Sequence, residues 1–151
     1  MKPFFVLTFT FIIGCAINYF IGNEINLASA GCISMAIMLF FTSIAHFKFL
    51  HGMVMMMPSF IPFKKTLVII TGLMEIAAGI CFCIPSLRFI TAVCLVVFFI
   101  IMLPANINAA IKKVDYENAT YNGKGLSYLW FRVPLQMFFI AWVWYFGIYI
   151  S

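Results

Sequence analysis

The sequence predicts an all-α transmembrane helical bundle, and two observations carry that prediction. Of 151 residues, 66% are hydrophobic and only 9% charged, with a mean hydropathy of +1.14. A water-facing shell needs roughly 25% charged residues, so lipid must be the solvent for most of the surface. The apolar residues also gather into five runs, each near the roughly 20 residues that one bilayer-spanning helix needs. Residues 1–151 then suit a single transmembrane domain with no separate soluble one.

The first run, Phe4–Ile21, follows Lys2 and ends at the polar turn Gly22-Asn23-Glu24-Ile25-Asn26. Its Ile12-Ile13-Gly14-Cys15 also mimics a bacterial lipoprotein signal cut before Cys15; the apolar run continues to Ile21, as a retained span does. The second run is Leu27–Phe47. Between it and the third lies Lys48–Lys65, where Pro58 and Pro62 forbid one continuous helix. There His51–Pro58 reads as a short interfacial helix with flexible methionines packed under the bundle, and Cu(I) binding by thioether and imidazole is the weaker alternative. The third run, Thr66–Ile84, stops at Pro85-Ser86-Leu87-Arg88. The fourth is Phe89–Ile107, followed by the hydrophilic stretch Asn108–Ser127 with a turn at Asn122-Gly123-Lys124-Gly125. The fifth, Tyr128–Ile150, carries Trp130, Trp142, Trp144, Tyr145 and Tyr149, which suit two interfacial belts.

Charge sets an orientation. With five spans, eight of the nine basic residues fall on one side: Lys2, Lys48, Lys64, Lys65, Lys112, Lys113, Lys124 and Arg132, leaving Arg88 opposite. The positive-inside rule then places the N-terminus in the cytoplasm and the C-terminus outside. The net charge of +5 therefore reads as topology, not as a nucleic-acid patch. All five cysteines lie in apolar segments without a C-x-x-C pair, so they read as small buried hydrophobes. Cys81 and Cys83 point about 200° apart on a helix, a poor geometry for a disulfide. No phosphate-binding loop, zinc-protease motif, nucleophile elbow or dinucleotide fingerprint occurs, and no catalytic or metal-ligating set emerges.

Ionisable residues inside a membrane are costly, and each is a candidate site. Glu75 sits nine residues into the third run, flanked at helical spacing by Thr71, Gly72, Ala78 and Gly79. That small-residue stripe admits a close neighbour, so Glu75 faces the bundle. His46 ends the second run, one turn after Thr42 and Ser43, and Pro104-Ala105-Asn106 ends the fourth. Arg132 and Gln136 share a face at the start of the fifth. An odd span count brings His46, Glu75, Asn106, Arg132 and Gln136 into one layer at the cytoplasmic boundary. That layer is either a packing lock or a ligand pocket, and the sequence leaves the two open.

The motifs Ala45-His46-Phe47, Met57-Pro58-Ser59-Phe60-Ile61-Pro62-Phe63, Thr71-Gly72-Leu73-Met74-Glu75, Leu103-Pro104-Ala105-Asn106-Ile107 and Arg132-Val133-Pro134-Leu135-Gln136 follow one another in order. With them the chain resembles the DoxX-like membrane proteins over about two-thirds of its length. The resemblance implies a four-helix core in a bacterial inner membrane, with one N-terminal transmembrane helix added here. It also implies kinship with the receptor chaperone NACHO and with thiosulfate:quinone oxidoreductase subunits. The expected role is a non-enzymatic, partner-binding or assembly-assisting protein without independent catalytic activity. The alternative is a quinone-binding subunit of a membrane oxidoreductase, quinone being the one cofactor implied. Expected partners are the lipid bilayer, another membrane protein or a quinone, with self-association a further option and nucleic acid excluded.

Overall fold

The computed structural model describes residues 2–22 and 26–150, with no strand among them. The helices are α1 (Lys2–Gly22), α2 (Leu27–Lys48), α3 (Leu50–Met56), α4 (Lys64–Cys83), α5 (Arg88–Ile111) and α6 (Leu126–Trp144). A 3₁₀ turn at Pro85–Leu87 leads into α5, and a π turn at Tyr145–Tyr149 extends α6. Five of these helices are long and apolar enough to cross a membrane, which makes the chain a multi-pass membrane protein. At 1.5 Å per residue, the 22 residues of α2 span about 33 Å, enough for a hydrocarbon core of about 30 Å.

The five expected spans are present with shifted ends. The largest shift is in α5, which runs through Pro104 to Ile111 rather than stopping at Ile107. Packing holds the added turn: Ala109 is buried with Met56 and Val114, and Asn108 donates to the Met56 carbonyl at 2.7 Å. The short helix expected at His51–Pro58 is present as α3, Leu50–Met56. The start of α2 is capped by Asn26, whose side chain accepts the Ser29 amide at 2.9 Å. The rest of the polar turn, residues 23–25, lies outside the described residues.

Helix α2 is the centre of the bundle and α1 its flank: half of the apolar stretch of α2 is buried, against 6% in α1. Small residues bring α4 onto α2. A Cβ on Gly72 would stand 2.9 Å from that of His46, and one on Gly79 would stand 3.3 Å from the Phe40 ring. Away from the charged loops the core is dry, built on Cys32, Met35, Leu39, Phe82, Leu95, Val143 and Phe146. Trp142 belongs there and not to an interfacial belt. It stacks at an angle between Phe11 and Phe146, and its indole donates to the Gly31 carbonyl at 3.1 Å. Buried indole N–H groups seek an acceptor, and this carbonyl supplies one. Trp130 and Trp144 are exposed.

Candidate functional site

At the loop end of the bundle the helices part around a cavity of about 440 Å³. All five polar residues expected from the sequence, His46, Glu75, Asn106, Arg132 and Gln136, line it. They form two hydrogen-bonded groups on two helix pairs.

The first group joins α2 to α4. The close approach at Gly72 sets the imidazole of His46 beside Glu75, with Nε2 3.4 Å from Oε1. Thr42 Oγ1 lies 2.9 Å from the other carboxylate oxygen and 3.0 Å from the Leu39 carbonyl. Its one hydrogen serves either acceptor, so Thr42 can follow a change in the carboxyl group. On the far side, His46 Nδ1 faces the Val68 carbonyl at 3.1 Å, with Thr71 Oγ1 at 3.2 Å. A carbonyl only accepts, so Nδ1 carries a hydrogen and the tautomer is fixed from behind. That leaves Nε2 facing the Glu75 carboxyl at the cavity wall. Both residues are buried.

The second group joins α5 to α6. Asn106 donates to Gln136 Oε1 at 2.9 Å, and the Gln136 amide donates to the Phe99 carbonyl. Pro104 removes the amide that would bond the Ile100 carbonyl, one residue after the Phe99 carbonyl that Gln136 reaches. Arg132 closes the group, donating from Nε to Asn106 Oδ1 at 3.3 Å with its guanidinium 5.6 Å from the centre of the Tyr128 ring.

Between these walls the lining is apolar and soft, with Met38, Met53, Phe98, Phe99, Met102 and Phe139. The mouth is built by elements that sequence reasoning did not connect. The loop 112–125 folds back across α3, where only a glycine at position 52 leaves room for the Tyr116 carbonyl. Beside it, Lys2 Nζ reaches Glu117 Oε1 at 2.9 Å. This bond holds the Glu117 carboxyl below its ordinary range. Burial pushes the Tyr116 hydroxyl up to about 12, so it stays neutral and donates to Glu117 at 3.3 Å. Lys2, Tyr116 and Glu117 all border the cavity. No local signal in the chain pairs residues 115 positions apart.

Among the described residues no group of three or more histidine, cysteine or acidic side chains could hold a metal ion, and His51 is exposed outside the cavity lining. Of the α3 methionines, Met53 and Met56 line the cavity.

A family model described as a domain of unknown function (DUF8561) matches residues 35–147. The match begins inside α2 and ends in the π turn, so it contains every polar residue of the cavity wall from α2, α4, α5 and α6, and leaves α1 outside. No curated protein and no solved structure matches the chain.

Proposed function

We propose that this chain, which belongs to the DUF8561 family, is a non-enzymatic binding protein of the membrane that holds a small amphipathic molecule in the cavity. One observation carries the reading. Five polar side chains that are costly in a membrane are each anchored by a hydrogen bond or close polar contact in the wall, yet line a space of about 440 Å³ with otherwise apolar walls. That is the size and character of a ligand site, about 300–1,000 Å³ with a few convergent polar groups. A packing lock would have closed the space around the polar atoms.

The finer placement belongs to the same reading. Helices α2, α4, α5 and α6 are the four-helix core that a DoxX-like fold implies, with α1 added at the flank. The membrane is a bacterial inner membrane, with the N-terminus and the cavity mouth on the cytoplasmic side. The low burial of α1, its position outside the family match and the eight basic residues at the mouth end support this placement.

A quinone-binding subunit of an oxidoreductase complex is the second reading, and spare amide hydrogens favour it. Asn106 and Gln136 each spend one amide hydrogen in the wall and keep one for a ring carbonyl, beside Phe99 and Phe139.

Mass spectrometry of an organic extract of the purified protein tests the proposal, with Ala105→Phe as the variant that fills the cavity. A stoichiometric small molecule in the wild-type extract, absent from a folded Ala105→Phe protein, is the expected result. Identical extracts, together with a membrane protein recovered in equal amount after mild crosslinking, would replace the small-molecule reading with partner binding or assembly.

A further inference from the structure

The charge on the cavity wall narrows the ligand class, on the premise that the cavity holds a ligand. Three fixed cations border it, Lys2, Lys48 and Arg132, against two carboxylates, Glu75 and Glu117. The surplus is positive whether His46 is neutral or charged. Pairing then decides where that surplus sits. Lys2 and Glu117 neutralise each other at the mouth, and Glu75 faces His46 on the opposite wall. Among the described residues no carboxylate lies within 4 Å of the Arg132 guanidinium or the Lys48 ammonium.

Arg132 is the more telling of the two. It is half-buried inside α6, and its polar contacts are all with neutral groups: the Asn106 oxygen at Nε and the face of Tyr128. Neither terminal nitrogen makes a hydrogen bond among the described residues. A guanidinium carries five donors in a planar fork that matches an oxyanion with two bonds at once. Asn106 fixes one edge of the fork and leaves the other for the cavity. Lys48 follows at the rim, and the methionine and phenylalanine walls accept a flexible chain.

We propose that the ligand is an anionic amphiphile, its acidic headgroup received by Arg132 with Lys48 at the rim and its apolar tail lying among the methionines and phenylalanines. Two sources supply this chemistry, a free fatty acid and an anionic phospholipid of the surrounding leaflet.

Competition binding on the full chain in phosphatidylcholine nanodiscs tests the proposal, with tritiated decanoate as the probe. Unlabelled decanoate displaces the probe, whereas decanol, with the same tail and no charge, displaces it about tenfold less well, the expected worth of one charge-assisted bidentate contact. Loss of displacement when the discs contain phosphatidylglycerol identifies the phospholipid as the natural source, and retention identifies the free acid. Arg132→Gln brings the two competitors to equal strength, and Arg132→Lys restores part of the difference; the wild-type comparison stands even if one variant fails to fold. Equal competition by decanol and decanoate in the wild type overturns the anionic headgroup while keeping a cavity ligand. Absence of any displaceable binding, with no molecule in the organic extract, overturns the cavity reading with it.

Discussion

At the Phe82–Phe146 end of the bundle, a Cβ added to Gly147 would stand 2.6 Å from the Phe82 ring and 2.7 Å from Ala92. At the His46–Arg132 end the helices stand apart around about 440 Å³. The two ends share α2, α4, α5 and α6 and differ in what their side chains ask for. Aromatic rings against glycine backbone gain dispersion contacts from every neighbour and close the space completely. Polar groups in hydrocarbon ask for partners in fixed directions. Once Val68, Leu39 and Phe99 supply backbone carbonyls, the remaining valences point inward and keep the helices parted. The closed end gives the bundle rigidity, and the open end is where the proposed ligand would sit.

The largest expected effect breaks the open end. His46→Ala leaves the buried Glu75 carboxyl with Thr42 as its remaining side-chain partner, and removal of one member of a buried pair costs about 3 kcal/mol. Thermal unfolding in detergent should drop accordingly, and Glu75→Gln in the same chain should recover much of the loss by removing the stranded charge. A double variant no more stable than His46→Ala would mean that the imidazole supports the fold by packing alone. Next comes the closed end. Gly147→Ala pushes a methyl group into Phe82 and Ala92, both fully buried, and overpacking of that kind costs about 2 kcal/mol. Ligand retention should survive this change although the melting temperature falls. A Gly147→Ala protein that melts normally but loses its ligand would show that the two ends are coupled.

The closed and open ends were not equally legible in the chain. Span count and approximate bounds are local properties of apolar runs, and all five runs became helices. The Thr71, Gly72, Ala78, Gly79 stripe beside Glu75 also announced the α2–α4 contact, because small residues are what let two backbones approach. Two features were hidden because distant residues decide them. Trp142 looked like a belt residue until α1 and α2 supplied Phe11 and the Gly31 carbonyl. The last turn of α5 looked polar until α3 and the loop 112–125 covered Ala109 and Ala110. The site itself was legible as a set of residues but not as two groups facing a space, since polarity alone does not say whether a layer is packed shut.

The smallest expected effect concerns the mouth, where loop 112–125 is tied to α1. The Lys2 hydrogen bond lowers the Glu117 pKa from its ordinary 4.5 in the folded protein. A lowered carboxyl pKa means that the tie contributes its full stabilisation above 4.5 and loses it as pH falls through the folded value. The side chains are 66% and 38% exposed, so solvent screening limits the tie to at most a few tenths of a kcal/mol. Its consequence is therefore kinetic rather than thermodynamic: the loop borders the cavity through Tyr116 and Glu117, and untying it should speed ligand exchange. Asp115, whose carboxyl is lowered by the Asn118 side chain, titrates in the same direction, so the comparison must be made against Glu117→Gln and not across pH alone. The wild type should exchange its bound molecule faster as pH falls below the carboxylate range or as salt rises, and Glu117→Gln should exchange at the faster rate throughout. Equal rates in the two proteins at neutral pH and low salt would show that the loop borders the mouth without holding it.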